Sequence, residues 1–232
     1  MTAQIKGILF DKDGTLFGFN DTWATWSVSF LTSLAPDDPE LCLEMAKLVG
    51  FNWDTMDFET GSVAVNASVD VQCVLLASIH PDLDAKAIEK LAFTALKDTA
   101  AIPVCDLDPL LADFNTRGFR LGIATNDFEQ SAVNQMQGHN IYHHFDFICG
   151  FDSGYTPKPQ ADMILGFCEK MRLTPDQIAM VGDSTHDLEA GRKAGVGLNV
   201  GVLTGPAKRD DIKHLADVIL PDISTLPELF KG

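Results

Sequence analysis

At 232 residues, 46% of them hydrophobic and 22% charged, the chain has ordinary globular composition and can bury on the order of 70% of its unfolded surface. Its 17 basic and 33 acidic residues leave a net charge of −16. That field repels polyanions and argues against nucleic acid or an anionic membrane as partner; it repels phosphorylated substrates too, so any phosphate site needs positive groups of its own.

The length allows one large domain, or one domain with an inserted module. Cys42, Cys73, Cys105, Cys149 and Cys168 are odd in number, scattered, and form no C-x-x-C pair. Among apolar neighbours they read as buried free thiols of a reducing cytosol. No signal-type apolar segment precedes Asp11, and no run approaches the roughly 18 residues of a membrane span. The expectation is a soluble cytoplasmic protein.

In chain order, Gly7 to Phe10 is a short apolar run that stops at Asp11. From about Phe17 to Ala101 only helical patterns are visible: Trp23, Trp26, Phe30, Leu31 and Leu34 share one face, and Ile88, Leu91, Ala92 and Ala95 another. Within this stretch Gly50 to Gly61 has neither period and is expected to be a loop. Asp106 can cap a helix that carries Leu107, Leu110, Leu111 and Phe114 on one face and stops at Gly118. Further apolar runs follow at Phe119 to Thr125, Phe145 to Gly150, Ile178 to Gly182, Leu198 to Leu203 and Asp217 to Leu220, with a helix expected from Thr185 to Gly195. Short apolar runs bounded by Gly and Asp read as buried parallel strands, and their alternation with helices predicts a doubly wound α/β core. The helical stretch 17–101 then interrupts a core made of 1–16 and 102–232.

Chemistry-bearing residues cluster where these strands end, the place at which open parallel sheets bind ligands. After the first run comes FDKDGTL, with Asp11 and Asp13 two apart and a turn-forming Gly14 next. A carboxylate there can attack phosphorus, and a second can protonate the leaving oxygen and later activate water. Both would need a cation to share the site with a phosphate dianion, and magnesium suits oxygen ligands of this kind. The second run delivers Thr125, Asn126 and Asp127, either a helix cap or a phosphate cradle of hydroxyl and backbone N–H groups. Lys158 lies between Pro157 and Pro159, which stiffen its loop. It is either a surface lysine or an ammonium placed to offset charge on the phosphate and Asp11, and a lysine between prolines is not expected in the core. GDSTHD, Gly182 to Asp187, ends the fourth run. Asp183 can ligate a metal, and Asp187 can hold Lys158 or a metal-bound water. His186 between them is expected to face solvent.

The four motifs, in order and each at a strand end, resemble the haloacid dehalogenase superfamily over essentially the whole chain. The resemblance implies a Rossmann-like core with an inserted α-helical cap of type 1. It implies Asp11 as nucleophile and Asp13 as general acid and base, with Lys158 supporting them. Mg2+ would be held by Asp11, by Asp13 through its backbone carbonyl, and by Asp183, with Ser184 and Asp187 beside them. Phosphate would be bound by Thr125, Asn126 and Lys158. True dehalogenases lack an aspartate at the place of Asp13, and phosphonoacetaldehyde hydrolases carry alanine there, so the chain is similar to the phosphatase and phosphomutase branch. AMVGDSTHDLEAGRKAG, Ala179 to Gly195, is most similar to phosphoglycolate phosphatases. Many members carry an acidic residue soon after D-G-T-L, where this chain has Phe17, Gly18, Phe19 and Asn20. The expected activity is hydrolysis of a small phosphorylated metabolite through an aspartyl phosphate, by a monomer or homodimer. The alternatives are a phosphomutase of the β-phosphoglucomutase type and a non-catalytic phosphometabolite-binding protein.

Overall fold

The computed structural model describes residues 4–59, 62–67, 69–98 and 101–230. Thr60 and Gly61, the end of the predicted loop, lie outside the described residues, as do Thr99 and Ala100 near the end of the predicted helical stretch. The chain divides into two compact units, Met1–Gly18 with Pro103–Gly232, and Phe19–Ile102. Among the described residues no helix is long and apolar enough to cross a membrane.

The first unit begins with β1 (Gly7–Phe10), whose four residues are all buried. The second unit comprises α1 (Phe19–Leu34), α2 (Pro39–Val49), β2 (Phe51–Asn52), β3 (Asp57–Phe58), α3 (Val63–Asn66), α4 (Val69–Ala77) and α5 (Ala85–Asp98). The predicted apolar faces meet in its core, where Trp26, Phe30, Leu31 and Leu34 of α1 pack with Met45, Leu76, Ile88 and Ala92. The sequence predicts helices and one loop here; the structure adds an antiparallel hairpin, Phe51 opposite Phe58 and Asn52 opposite Asp57. Strands of two residues are too short to show a period of two. The turn is held by Asn52 Oδ1, which accepts from the amides of Asp54 and Thr55. Trp53 packs on the unit's core and meets Phe51 edge-on, with ring centroids 6.0 Å apart.

Returning to the first unit, the chain forms α6 (Leu107–Thr116), β4 (Arg120–Ala124), α7 (Glu129–Gly138), β5 (Phe147–Cys149), α8 (Asp162–Met171), β6 (Ile178–Gly182), α9 (Thr185–Ala194), β7 (Leu198–Val202), α10 (Arg209–Ile212) and β8 (Val218–Leu220). Six strands pair in the order β5-β4-β1-β6-β7-β8, every pair parallel. The core is therefore the predicted Rossmann-like α/β sheet flanked by helices. The chain leaves β1 toward β4 and β5, then crosses to β6 on the other side, so the strand order reverses beside β1.

Leu107, Leu110, Leu111 and Phe114 form the buried stripe of α6 as predicted, but Asp106 makes no side-chain cap bond there. Ser184 does cap α9, accepting from the Asp187 amide, and Gly195 closes that helix in the left-handed conformation. All five thiols are free, and four are buried; Cys105, in the segment before α6, is only half-buried. On one face of the sheet α8 places Met163, Ile164 and Phe167 against Leu9, Ile178 and Met180. Phe167 is fully buried, so Phe167→Ala is expected to cost about 3–5 kcal/mol through lost burial and the cavity left behind. Urea unfolding measures it; a loss below about 1 kcal/mol would mean that this core collapses around the gap.

Candidate active site

β1 and β6 lie side by side, with Phe10 opposite Val181, so the residues that follow them emerge together. Asp11 extends the pairing by one bond, its amide donating to the Val181 carbonyl at 2.8 Å. Asp183 follows β6, and Asp187 lies four residues on, in the first turn of α9. Carboxylate oxygens of Asp11, Asp183 and Asp187 all lie within 4.8 Å of one another, and all three residues are buried.

Lys158 enters from the segment between β5 and α8 and brings the opposite charge. Its Nζ donates to Asp11 Oδ1 and to Asp187 Oδ1, each at 2.6 Å. The sequence predicts this lysine outside the core, yet its relative exposure is 5%. The reason is that its ammonium is paired twice, which offsets the cost of taking a charge out of water. Asn126 holds the Lys158 backbone from both sides: its Nδ2 donates to the Lys158 carbonyl at 2.9 Å, and its Oδ1 accepts the Lys158 amide at 3.0 Å. Asn126, expected to bind phosphate, thus has its side chain committed to the Lys158 loop. Thr125 is buried at the end of β4, and its hydroxyl accepts the Asp127 amide at 3.1 Å.

Two glycines make room for Asp183. Gly14 has φ +84°, and a Cβ there or at Gly205 would collide with the Asp183 carboxylate. The loop after β1 is pinned by Thr204, whose hydroxyl donates to the Gly14 carbonyl at 2.6 Å, while Thr15 Oγ1 donates to Asp183 Oδ1 at 3.4 Å. Ser184 is tied to Asp187 by its amide and hydroxyl, 3.0 and 2.7 Å from Oδ2. Asp187, expected beside the metal ligands, is thus part of the carboxylate cluster itself. The Asp13 carboxylate is not in that cluster; its Oδ2 lies 2.7 Å from Lys12 Nζ. His186 is exposed, as expected.

Three carboxylates against one ammonium leave the cluster short of positive charge. Burial, and then the neighbouring Asp187, push the Asp11 carboxyl up to about 6. Burial, Asp187 and Asp11 push Asp183 well above the ordinary carboxylate range. Burial alone would lower Lys158, but Asp11 and Asp187 outweigh it and hold the ammonium above the usual lysine range. An oxygen-rich, electron-rich, buried cluster of this kind suits a hard divalent cation. Asp108, His143 and His144 form a second group of metal-ligating types. There His144 bridges Asn115 Oδ1 and Asp108 Oδ1 at 2.7 and 2.9 Å, tying a 3-10 turn to α6.

Lys12 has no assigned role in the sequence reading. It lies two residues beyond the end of β1, between Asp11 and Asp13. There it is buried, with its ammonium also 3.1 Å from Asp127 Oδ2.

The profile of the haloacid dehalogenase-like hydrolases matches residues 8–200. The chain belongs to this family. Phosphoglycolate phosphatase of Vibrio cholerae is 26% identical over 235 residues, which covers 97% of each chain. The tyrosine-protein kinase PtkA of Mycobacterium tuberculosis is 29% identical over 123 residues, 53% of this chain and 42% of that protein, so the chain spans less than half of that relative. Among solved structures, the HAD-type hydrolase YfnB of Bacillus subtilis superposes with a TM-score of 0.73 at 16% identity, covering 99% of this chain and 100% of that one. That likeness concerns the fold.

Proposed function

We propose that the protein is a magnesium-dependent phosphatase that hydrolyses a small, phosphoglycolate-like phosphate monoester in the cytoplasm. The observation that carries the reading is the meeting of Asp11, Asp183 and Asp187 with Lys158 in one buried cluster at the strand ends. Two named relatives point the same way, the Vibrio cholerae phosphoglycolate phosphatase and a magnesium-bound YfnB structure.

Asp11 attacks phosphorus; the new bond is Asp11 O–P, and the bond to the ester oxygen breaks. Asp13 gives the departing oxygen a proton. Water then attacks the phosphorus of the aspartyl phosphate, Asp13 takes its proton, and Asp11 leaves as a carboxylate with release of inorganic phosphate. Lys158 holds Asp11 in place and balances charge on the transferring group, with Thr125 and the backbone at Asn126 closing around it. Magnesium would be held by Asp11, Asp183 and the Asp13 carbonyl, with Ser184 and Asp187 beside them, and when bound it neutralises phosphate charge and lets two anions approach. The helical unit Phe19–Ile102 is proposed as the cap that selects substrates. A non-catalytic binding protein needs none of Asp11, Asp13 and Lys158, and all three are present.

The test is phosphate release from a panel of small phosphate esters and from p-nitrophenyl phosphate. Release is expected for at least one ester, to disappear after chelation, and to return with Mg2+. Undiminished activity in excess chelator would remove the metal from the reading, and no release from any ester would remove the phosphatase.

A further inference from the structure

The side chain of Lys12 is 3% exposed, although it lies between two acidic residues at a strand end. Its ammonium is 2.7 Å from Asp13 Oδ2 and 3.1 Å from Asp127 Oδ2. Asp127 is itself anchored where α7 begins: its Oδ1 accepts the Phe128 amide at 2.7 Å, and its Oδ2 accepts the Ser131 hydroxyl at 2.7 Å. The carbonyl of Asp127 also accepts the Phe151 amide at 3.0 Å. Lys12 is therefore fixed at its backbone by the turn after β1, where its carbonyl accepts the Leu16 and Phe17 amides at 3.0 and 3.1 Å, and at its head by a residue that cannot easily move. A free lysine carries about 2 kcal/mol of rotamer entropy, and here burial and two ion pairs hold it in one arrangement. Asp13 sits in the opposite condition, on a turn, with a short side chain that is 20% exposed. Left to itself such a carboxylate samples several rotamers.

We infer that Lys12 is a positioning residue for Asp13: by holding Oδ2 it leaves Oδ1 as the oxygen presented to the reacting group. This rests on the phosphatase reading and assigns a residue that acts through Asp13 rather than on substrate. As the phosphorus–oxygen bond of the ester breaks, the proton on Asp13 Oδ1 passes to the departing oxygen. In the second step the same oxygen receives a proton from the attacking water. A carboxylate free to turn away delivers that proton less often, and the deficit matters in proportion to how much the leaving oxygen needs it. An alkoxide needs it, whereas a nitrophenolate leaves without it.

Lys12→Met tests this with two substrates, p-nitrophenyl phosphate and the alkyl phosphate that the wild type cleaves best. The quantity to compare is kcat/KM, which reports the steps through the first phosphoryl transfer. For the alkyl ester it is expected to fall about 30-fold, against less than about threefold for the aryl ester, a part of the roughly 10²- to 10⁴-fold that general acid catalysis supplies. The kcat should fall for both esters because decay of the aspartyl phosphate is common to both, and for the aryl ester KM should fall with it, since kcat/KM hardly changes. Lys12→Arg, which keeps the charge, should recover most of the alkyl rate. Asp127→Ala frees the head of Lys12 at a partly exposed position, so it keeps the test open if Lys12→Met does not fold; it should give the same selective loss at smaller size. Equal losses on both esters, or an unchanged alkyl-to-aryl ratio in the folded variants, would overturn the positioning role and leave the phosphatase reading standing. A wild type that cleaves neither ester would overturn the phosphatase reading and this inference with it.

Discussion

Asp11→Asn is expected to remain folded and to lose turnover by about four orders of magnitude or more, the scale seen when a nucleophile is removed. An amide cannot form the acyl phosphate that the proposed route requires. Acid-quenched wild type should carry a phosphoryl group on the peptide that contains Asp11, and the variant should carry none. Retained turnover in the variant would transfer the first step to water. The same substitution has an opposite effect on the metal-free fold. The Asp11 carboxyl titrates near 6 in the folded protein against 3.8 ordinarily, first because it is buried and then because Asp187 is close. Its stabilising contribution is full below the lower value and is lost as pH rises through about 6, since the fold then holds an ionised group it disfavours. Asparagine removes that loss. In chelating buffer the melting temperature of the variant relative to wild type should therefore rise between about pH 4 and about pH 7.5. A difference independent of pH would mean that Asp11 is not the group strained by burial.

Lys158→Met should show the largest combined effect on rate and stability. Turnover is expected to fall about 10²- to 10³-fold, the cost of removing one charge placed where transition-state charge develops. Stability should fall as well, in contrast to what a lysine flanked by prolines suggests from sequence. The ammonium is buried and bonded to Asp11 and Asp187 at 2.6 Å each, and its removal leaves three carboxylates together without a counter-charge. Breaking a buried pair in this way typically costs about 3–5 kcal/mol. Mg2+ should return part of that loss, because a cation in the cluster replaces some of the missing positive charge. Denaturant unfolding with and without Mg2+ measures both effects. A variant as stable as wild type in chelator would show that the carboxylates are not held against one another as the geometry requires.

Much of this was legible in the order of residues alone. Apolar runs such as Gly7 to Phe10 and Ile178 to Gly182, each ended by an aspartate, identify parallel strands, because burial on both faces leaves no place for polar residues inside them. The stripe Leu107, Leu110, Leu111 and Phe114 identifies α6 for the same local reason. Asp11, Asp183 and Lys158 follow from motifs at strand ends, since a parallel sheet brings all its carboxyl ends to one edge. The hairpin of β2 and β3 was not legible, being too short for any period to show. Three further features depend on residues distant in sequence. Lys158 reaches the interior because Asp11, 147 residues away, and Asp187, 29 residues away, receive it. Asp187 joins the carboxylate cluster because β1 and β6 are neighbours in the sheet, which no spacing within GDSTHD reveals. Lys12 is buried because Asp127, beyond β4, meets it beside Asp13. Local periodicity reports which side of an element is apolar; the partner of a buried charge is chosen by strand order and register, and those exist only once the chain has folded.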